Sequence, residues 1–298
     1  MIGTAELERA VGGLVVARAP YSYASSASLE HIELDVPGRP RQAALLKETS
    51  LASLQEPARS TRPTALHDAG RERSVYRSVL EGAGLGTPDC LGAAAGEHPW
   101  LLLEHVDGVE LWQVPFDGWL QVAGWLGVVH NALGRRRPPP GLVRQAPALW
   151  RWFLTRAVAF LGASRLQPVV DVHEVVCREL SRAPWGMIHG ELYPSNVLLA
   201  GDRVVLLDWE MAALGPRALD LAALTGGCDE ATRERILDAY VRTNPVPVSR
   251  ETLLRHVDLA RVVLAVQWLG WSDGWRAPPV HALDWLAEAT EAIGALEL

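Results

Sequence analysis

The chain has 298 residues, 49% of them hydrophobic and 21% charged, which is enough to bury one large core or two lobes with a cleft between them. Its formal net charge of −7 argues against general binding to nucleic acids or anionic membranes, which requires a basic face. The N-terminal residues do not resemble a secretory signal, and no apolar run approaches the roughly 20 residues that span a bilayer, so we expect a cytoplasmic protein.

The first predicted strands lead to a single lysine. The segments LVVARAP, LEHIELDV and AALLK predict three strands, the last two antiparallel across the turn VPGRP. Lys47 ends the third strand, and every other long basic side chain in the protein is arginine. A compact ammonium and a planar guanidinium are not interchangeable in a tight site. We therefore infer a local role for Lys47, with chance survival of one lysine as the alternative.

A loop, a helix and a buried strand complete this part of the chain. The loop YSYASSAS (21–28) is rich in small residues, which let a backbone come close to a ligand. The segment RERSVYRSVLEGAG (71–84) has apolar residues at helical spacing, carries Glu72 near its start and stops at glycine. The segment PWLLLEHVDGVEL (99–111) predicts a buried strand that runs into an Asp-Gly turn.

From about Phe116 the pattern is mainly helical and is interrupted by residues 187–212. We predict an α+β protein with a small antiparallel-sheet lobe at residues 1–105 and a larger, mainly helical lobe at residues 106–298. The sequence contains no internal repeat and no long low-complexity segment.

The interrupting stretch, MIHGELYPSNVLLAGDRVVLLDWEMA, predicts a hairpin with polar residues at its open end. Its apolar runs VLLA and VVLLD flank a Gly-Asp turn, so Asn196 and Asp208 should converge where the two strands begin and end. An amide oxygen and a carboxylate suit Mg²⁺, which prefers a few protein oxygens together with phosphate oxygens. The alternative is that the two side chains only cap turns.

Two further polar residues precede the hairpin in a loop. Glu191 stands five residues before Asn196, where an acid could orient an incoming hydroxyl and receive its proton. His189 lies between an apolar residue and a glycine, and we expect it to be a packed, hydrogen-bonded scaffold residue rather than a catalyst.

HGELYPSNVLL followed by LLDWE resembles the catalytic loop and metal-binding segment of the aminoglycoside phosphotransferase and choline-kinase-like family, which shares the two-lobed protein-kinase-like fold. The resemblance implies that Lys47 binds the phosphates of ATP and that Glu72 holds this lysine. It also implies that the backbone at Glu104 and Val106 binds the adenine, and that a buried aspartate, Asp220, braces the catalytic loop. These matches run in the expected order from about residue 15 to residue 225.

One feature of the sequence differs from protein kinases, and another differs from the family. The loop with Ser25 and Ser26, expected to bind nucleotide phosphates, lacks the GxGxxG pattern of protein kinases, although serine-bearing loops also occur in this family. Glu191 stands where the family has aspartate, and its extra methylene displaces the carboxylate by about a bond length. A glutamate can serve if the loop is set back, because phosphoryl transfer depends mainly on metal ions and orientation.

We therefore expect an enzyme that uses ATP (or GTP) and Mg²⁺ to phosphorylate a hydroxyl of a small molecule, with an antibiotic or another natural product as one candidate acceptor. The alternative is a catalytically silent nucleotide-binding module that acts as a switch or as a platform for a partner. AMP transfer is a third hypothesis, and no residue of the sequence favours it. The acceptor and the oligomeric state stay open. Trp268, Trp271, Trp275 and Asp273 lie close in sequence, and they either line the acceptor pocket or fill the core.

Overall fold

The structure is a computed structural model that describes residues 2–21, 27–56, 58–244, 248–272 and 282–298. Its strands are β1 (Leu14–Pro20), β2 (Leu29–Asp35), β3 (Gln42–Glu48), β4 (Cys90–Ala94), β5 (Trp100–Glu104), β6 (Val109–Glu110), β7 (Val143–Arg144), β8 (Trp185–Ile188), β9 (Val197–Ala200), β10 (Arg203–Leu206) and β11 (Ala213–Pro216). Its α-helices are α1 (Thr4–Val11), α2 (Ala58–Thr61), α3 (Arg71–Val75), α4 (Phe116–Leu133), α5 (Pro147–Leu161), α6 (Gln167–Leu180), α7 (Ala218–Leu224), α8 (Glu230–Thr243), α9 (Arg250–Leu269) and α10 (Trp285–Leu296).

A five-stranded antiparallel sheet, in the order β1-β2-β3-β5-β4, forms the N-terminal part. The three strands predicted at its start are confirmed. One face of the sheet contributes Leu46 and Leu102 to a small core that also contains Leu7 of α1. Because successive side chains of a strand point to opposite faces, Lys47 is directed away from this core. Its strand partner Leu101 belongs to the larger core of the molecule.

Two predictions for the first part of the chain need adjustment. The helix predicted at 71–84 is confirmed as α3, but it continues as one π-helical turn over Tyr76–Leu80 and ends there. The buried strand predicted within 99–111 is confirmed as β5, but it ends at Glu104, and β6 after the Asp-Gly pair is a separate short strand that pairs with β9. The chain passes close to β9 at Gly108, where an added Cβ would lie 3.1 Å from Leu199 O.

The remaining elements surround the predicted hairpin. β9 and β10 pair antiparallel across Gly201, which has the positive φ (61°) that such a turn requires. The region predicted to be mainly helical from about Phe116 forms α4, α5, α6, α8, α9 and α10. α9 packs against α5, α6, α7, α8 and α10. The sequence analysis did not identify α1, α7 or the small sheet β7-β11-β8. In the described part of the chain, no helix is both long enough and apolar enough to cross a membrane.

The small sheet sets two loops side by side. β11 pairs antiparallel with β8, with Ala213 opposite Ile188, so the residues just before β11 lie next to those just after β8. Gly190 follows β8 with a φ of 86°, and a Cβ on it would lie 2.3 Å from Met211 O. The close approach of these two loops therefore requires glycine at position 190.

We predict that Gly190→Ala lowers the free energy of unfolding by at least about 3 kcal/mol, because the new methyl group adds a collision with Met211 to the roughly 1–2 kcal/mol cost of a left-handed backbone. Gly201→Ala is the matched control, since its φ is also positive but nothing lies within 4 Å of its added Cβ. It should cost only about 1–2 kcal/mol. Urea unfolding of both variants measures the difference, and equal losses would contradict the close packing of the two loops.

Candidate active site

The side chain of Lys47 stands at the centre of a cluster of carboxylates. Its Nζ lies 2.8 Å from Glu72 Oε2 and 2.7 Å from Asp208 Oδ1, and Glu210 Oε2 is 3.5 Å away. The lysine is buried, with 8% of its surface exposed. The contact expected between Lys47 and Glu72 is therefore formed, and the same ammonium also reaches the residue expected to bind metal.

Glu72 reaches Lys47 from α3 and is itself tied to the loop after β10. Its Oε1 accepts a hydrogen bond from Trp209 N (3.2 Å), while its Oε2 faces Lys47. The neighbouring Arg71 donates from Nη1 to Glu210 O (2.5 Å) and from Nε to Gly141 O (2.7 Å). Two consecutive residues of α3 thus fix the helix to the segment that contains Asp208.

Glu210 and Arg62 belong to this cluster and were not singled out in the sequence analysis. The Glu210 carboxylate forms an ion pair with Arg62, whose side chain is 9% exposed, and it lies beside Lys47. The position of Glu210 two residues after Asp208 was the available signal, since a short turn can bring both carboxylates to one site. Arg62 gave no signal, because it lies in a polar stretch whose course depends on tertiary contacts.

The loop after β8 is held by Asp220, a fully buried residue of α7. Asp220 Oδ2 accepts a hydrogen bond from His189 N (2.8 Å), and Oδ1 accepts one from Gly190 N (2.9 Å). His130 Nε2 also lies 3.0 Å from Oδ2. Burial would raise the pKa of Asp220, but these hydrogen bonds and the histidines hold it below its ordinary value. The carboxylate therefore stays charged and fixes the backbone that precedes Glu191.

His189 is packed and hydrogen-bonded, as expected for a scaffold residue. Its ring lies edge-on to that of Trp209, with centroids 4.8 Å apart. Nδ1 accepts from Glu191 N (3.3 Å), so Nε2 carries the proton that is donated to Leu207 O (2.8 Å). Burial lowers the pKa of His189, which keeps this neutral tautomer at neutral pH.

Asn196 and Asp208 stand at the open end of the hairpin. Leu207 N donates to Asn196 O (2.9 Å), which continues the β9–β10 pairing beyond its last strand residues. The amide Nδ2 of Asn196 donates to Glu191 O (2.9 Å), so Oδ1 is the atom that would face a metal ion. Asp208 has a left-handed backbone (φ 60°) and a side chain that is 27% exposed.

These two residues fit a magnesium ion. Asn196 Oδ1 and the Asp208 oxygen that does not face Lys47 are oxygen ligands, which Mg²⁺ prefers. Within the ranges that the structure describes, no three His, Cys, Asp or Glu side chains are arranged to hold a metal by themselves. Such a small protein ligand set suits an ion that takes its remaining ligands from phosphates and water.

The cluster holds more acids than cations, and the pKa values reflect this. Burial raises the pKa of Glu72 to about 7. Burial, with repulsion from Glu210 and Asp208, raises the pKa of Glu191 to about 8. Burial would also raise the pKa of Glu210, but Lys47 and Arg62 hold it at about 2.

The segment expected to bind adenine follows β5. Glu104 N donates to Asp89 O (2.8 Å), and the Glu104 carboxylate pairs with Arg203. His105 N donates to Ala43 O (3.1 Å). Val106 N has no hydrogen-bond partner among the described residues, so it is available to a ligand. The role of this backbone in nucleotide binding stays a prediction.

Some predicted residues cannot be placed. Ser25 and Ser26 of the expected phosphate loop lie outside the described residues, as do Asp273 and Trp275. Of the other two tryptophans, Trp271 is buried and stacks on Phe153, with centroids 6.3 Å apart. Trp271 is therefore a core residue. The division of the chain after residue 105 also stays a prediction.

We predict that Glu191→Gln changes the pH dependence of stability in metal-free buffer. In the folded protein the pKa of Glu191 is about 8, above the ordinary value of 4.5. Its protonation therefore contributes to the free energy of unfolding fully below about pH 4.5, and this contribution is lost as the pH rises through 8. Each pKa unit corresponds to about 1.4 kcal/mol before solvent screening is allowed for.

Between pH 6 and pH 9 the wild type should therefore lose about 1–2 kcal/mol more unfolding free energy than Glu191→Gln. Urea unfolding of both proteins at several pH values measures this difference. Parallel pH profiles would mean that Glu191 is charged throughout this range.

Comparison with known proteins identifies the family and the fold of the chain. The family model described as "Phosphotransferase enzyme family" (APH) matches residues 58–251. A homoserine kinase from Rhodopseudomonas palustris is 29% identical over 182 residues. This match covers 56% of the chain and 49% of the homoserine kinase, so it spans about half the length of that relative.

Solved structures share the fold over nearly the whole chain. A choline kinase from Streptococcus pneumoniae has a TM-score of 0.63 and 14% identity, covering 95% of this chain and 94% of that chain. A macrolide 2'-phosphotransferase from Brachybacterium faecium has a TM-score of 0.57 and 18% identity, with coverages of 96% and 94%. The GDP complex of aminoglycoside 2'-phosphotransferase-IIIa has a TM-score of 0.60 and 16% identity, with coverages of 95% and 93%.

These likenesses confirm the two-lobed, protein-kinase-like α+β fold predicted from the sequence. Because the family model covers well over half of the chain and includes Glu72, Glu191, Asn196 and Asp208, the chain belongs to the phosphotransferase enzyme family.

Proposed function

We propose that the protein transfers the γ-phosphoryl group of ATP or GTP to a hydroxyl of a small molecule, with Mg²⁺ as cofactor. In this proposal, Lys47 binds the α- and β-phosphates and Glu72 orients Lys47. Asn196 and Asp208 hold the metal ion. The backbone at Glu104 and Val106 binds the purine base.

The contact of Lys47 with both Glu72 and Asp208, at 2.8 and 2.7 Å, is the observation that carries the proposal. A buried ammonium between a helix carboxylate and a metal-binding carboxylate is already positioned for phosphate oxygens. The chain has no other lysine, although arginine would serve equally well for charge alone. The arrangement therefore favours a compact point charge.

Glu191 is proposed to orient the acceptor hydroxyl and to take its proton. As the acceptor oxygen bonds to the γ-phosphorus, the bond from that phosphorus to the bridging oxygen breaks, and the nucleoside diphosphate leaves. Asn196 positions Glu191 through its hydrogen bond to Glu191 O (2.9 Å). When bound, Mg²⁺ would neutralise charge on the phosphate oxygens.

Arg62 is proposed to balance the cluster from the opposite side. It pairs with Glu210 and thereby reduces the negative charge that faces incoming phosphates. While Glu210 is paired with Arg62, the shortest contacts of Lys47 are those with Glu72 and Asp208. Arg62 thus supports the lysine without touching the residues proposed to hold metal.

One observation favours the alternative of a silent nucleotide-binding module. The pKa of Glu191 is about 8, so in the nucleotide-free protein its carboxyl is protonated at neutral pH and cannot accept a proton. If the protein is an enzyme, the pKa of Glu191 must fall when a cation binds near Asp208, because the cation reduces the repulsion that raises this pKa. The two readings therefore differ in what Glu191 does once the site is occupied.

The acceptor is proposed to carry a flat or apolar portion. Tyr193, two residues after Glu191, accepts a hydrogen bond from Trp268, and their ring centroids are 5.6 Å apart. Trp268 also stacks on Trp285 at 5.7 Å. Aromatic faces next to the catalytic loop suit such surfaces. The similar proteins are named for homoserine, choline, macrolide and aminoglycoside substrates, which supports a small-molecule acceptor, an antibiotic or natural product among them.

We predict ATP-dependent phosphorylation of at least one compound in a panel of amino alcohols, amino sugars, nucleosides and macrolides, detected by mass spectrometry as gain of one phosphoryl group. On that acceptor, Glu191→Gln should lower kcat by about 10²-fold or more while changing ATP affinity little, because the shape is kept and the base is lost. Glu191→Asp should keep reduced activity.

Lys47→Arg is the control for the nucleotide side of the site and should abolish transfer without unfolding the protein. A Glu191→Gln variant as active as the parent would assign Glu191 a structural role only. ATP binding without turnover of any acceptor, with activity gained only in Glu191→Asp, would instead support the silent module.

A further inference from the structure

A small cavity lies in the helical part of the molecule, lined mostly by apolar residues other than those of the proposed active site. It has a volume of about 30 Å³, and its lining includes Arg217, Tyr240, Asn244 and His256 together with Leu221 and Leu253. A single water needs roughly 10–15 Å³ on this scale. The cavity therefore has room for a group of a few heavy atoms.

Arg217 is the unusual member of this lining. Its Nε and Nη1 are buried and have no hydrogen-bond partner among the described residues. Within the same residues, no carboxylate oxygen lies within 4 Å of its guanidinium. Buried charges are ordinarily paired, because an unpaired one loses its hydration without compensation. Arg217 is half-buried, and at these two buried nitrogens its guanidinium lacks both a hydrogen-bond partner and a counter-charge among the described residues.

The guanidinium packs against two glycines. A Cβ on Gly134 would lie 2.6 Å from Arg217 Nη2, and a Cβ on Gly186 would lie 2.9 Å from Nε. The absence of side chains at these two positions therefore makes the space that the guanidinium occupies.

One further polar atom of the lining also lacks a partner, whereas most of the other lining residues are apolar. His256 Nδ1 is buried without a hydrogen-bond partner in the described part of the chain, and no Asp or Glu lines the cavity. This is notable in a chain with a net charge of −7. The Tyr240 hydroxyl accepts from Asn244 Nδ2 and lies 3.0 Å from His130 Nδ1, so it contributes a fixed polar wall.

We propose that this cavity binds a small oxyanion, a carboxylate or a phosphate group, through the fork of Arg217 and the ring of His256. A planar guanidinium matches both kinds of group with two parallel hydrogen bonds. The leucines on the other side of the cavity fit a short apolar portion of the same ligand. This anion site does not depend on the proposed phosphotransferase activity.

The site is connected to the loop that carries Glu191. Tyr240 contacts His130, whose other ring nitrogen lies 3.0 Å from Asp220 Oδ2, and Asp220 holds the backbone of that loop. Arg217 also stands immediately before α7, the helix that carries Asp220. A ligand in the cavity would therefore contact Tyr240 and Arg217, which adjoin the residues that support the catalytic loop.

The test uses the full chain with sodium phosphate or sodium acetate, at constant ionic strength balanced with chloride. Calorimetry should detect saturable binding of one anion per chain, and the thermal midpoint should rise with its concentration. Tighter binding of phosphate would identify a phosphate site, and tighter binding of acetate a carboxylate site. Arg217→Met should weaken the binding by at least about tenfold, and Arg217→Lys by less.

His256→Gln provides a second variant in case Arg217→Met does not fold, and it should also weaken the binding. Arg242→Met removes an exposed arginine of α8 and should leave the binding unchanged. Absence of saturable binding would overturn the proposal, and so would binding that survives in the Arg217 and His256 variants.

Discussion

The buried ammonium of Lys47, in contact with Glu72 and Asp208 and 3.5 Å from Glu210, is the interaction on which the arrangement of the cleft depends. It joins a strand, a helix and a loop that are distant in sequence. An ammonium buried alone would be strongly disfavoured, and so would the carboxylates without it. Burial would lower the pKa of Lys47, but the three carboxylates, led by Asp208, raise it well above its ordinary value. The lysine therefore stays charged.

The same cluster is the physical basis for the proposed binding of phosphate and a divalent cation. Four carboxylates meet near two cations, and two of them, Glu72 and Glu191, have raised pKa values of about 7 and 8. A site with this excess of acid is incompletely balanced by its own residues. A divalent ion would supply the missing positive charge, while phosphates would occupy the positions that face Lys47. The backbone is fixed independently, since Asp220 holds the loop through main-chain hydrogen bonds.

Local patterns predicted much of this arrangement, and long-range contacts supplied the remainder. The alternating side-chain directions along β3 and the Gly-Asp turn of the hairpin are each determined by a few neighbouring residues. The positions of Lys47 and Asp208 could therefore be predicted from the sequence. Arg62 was missed because its neighbour Glu210 lies 148 residues away in the chain. The short strands β6 and β7 were missed because two residues give no periodicity. Arg217 gave no signal because its environment is built by separate helices.

The single lysine allows a direct test of the central claim, that Lys47 is where nucleotide phosphates bind. Protein labelled with ¹⁵N only at lysine should give one side-chain ammonium signal, which is followed by NMR during titration with ATP. The account predicts that the signal moves saturably with Mg²⁺ and ATP together, and much less with ATP and a chelator or in Asp208→Asn. A signal that stays in place while calorimetry shows ATP to be bound would contradict it.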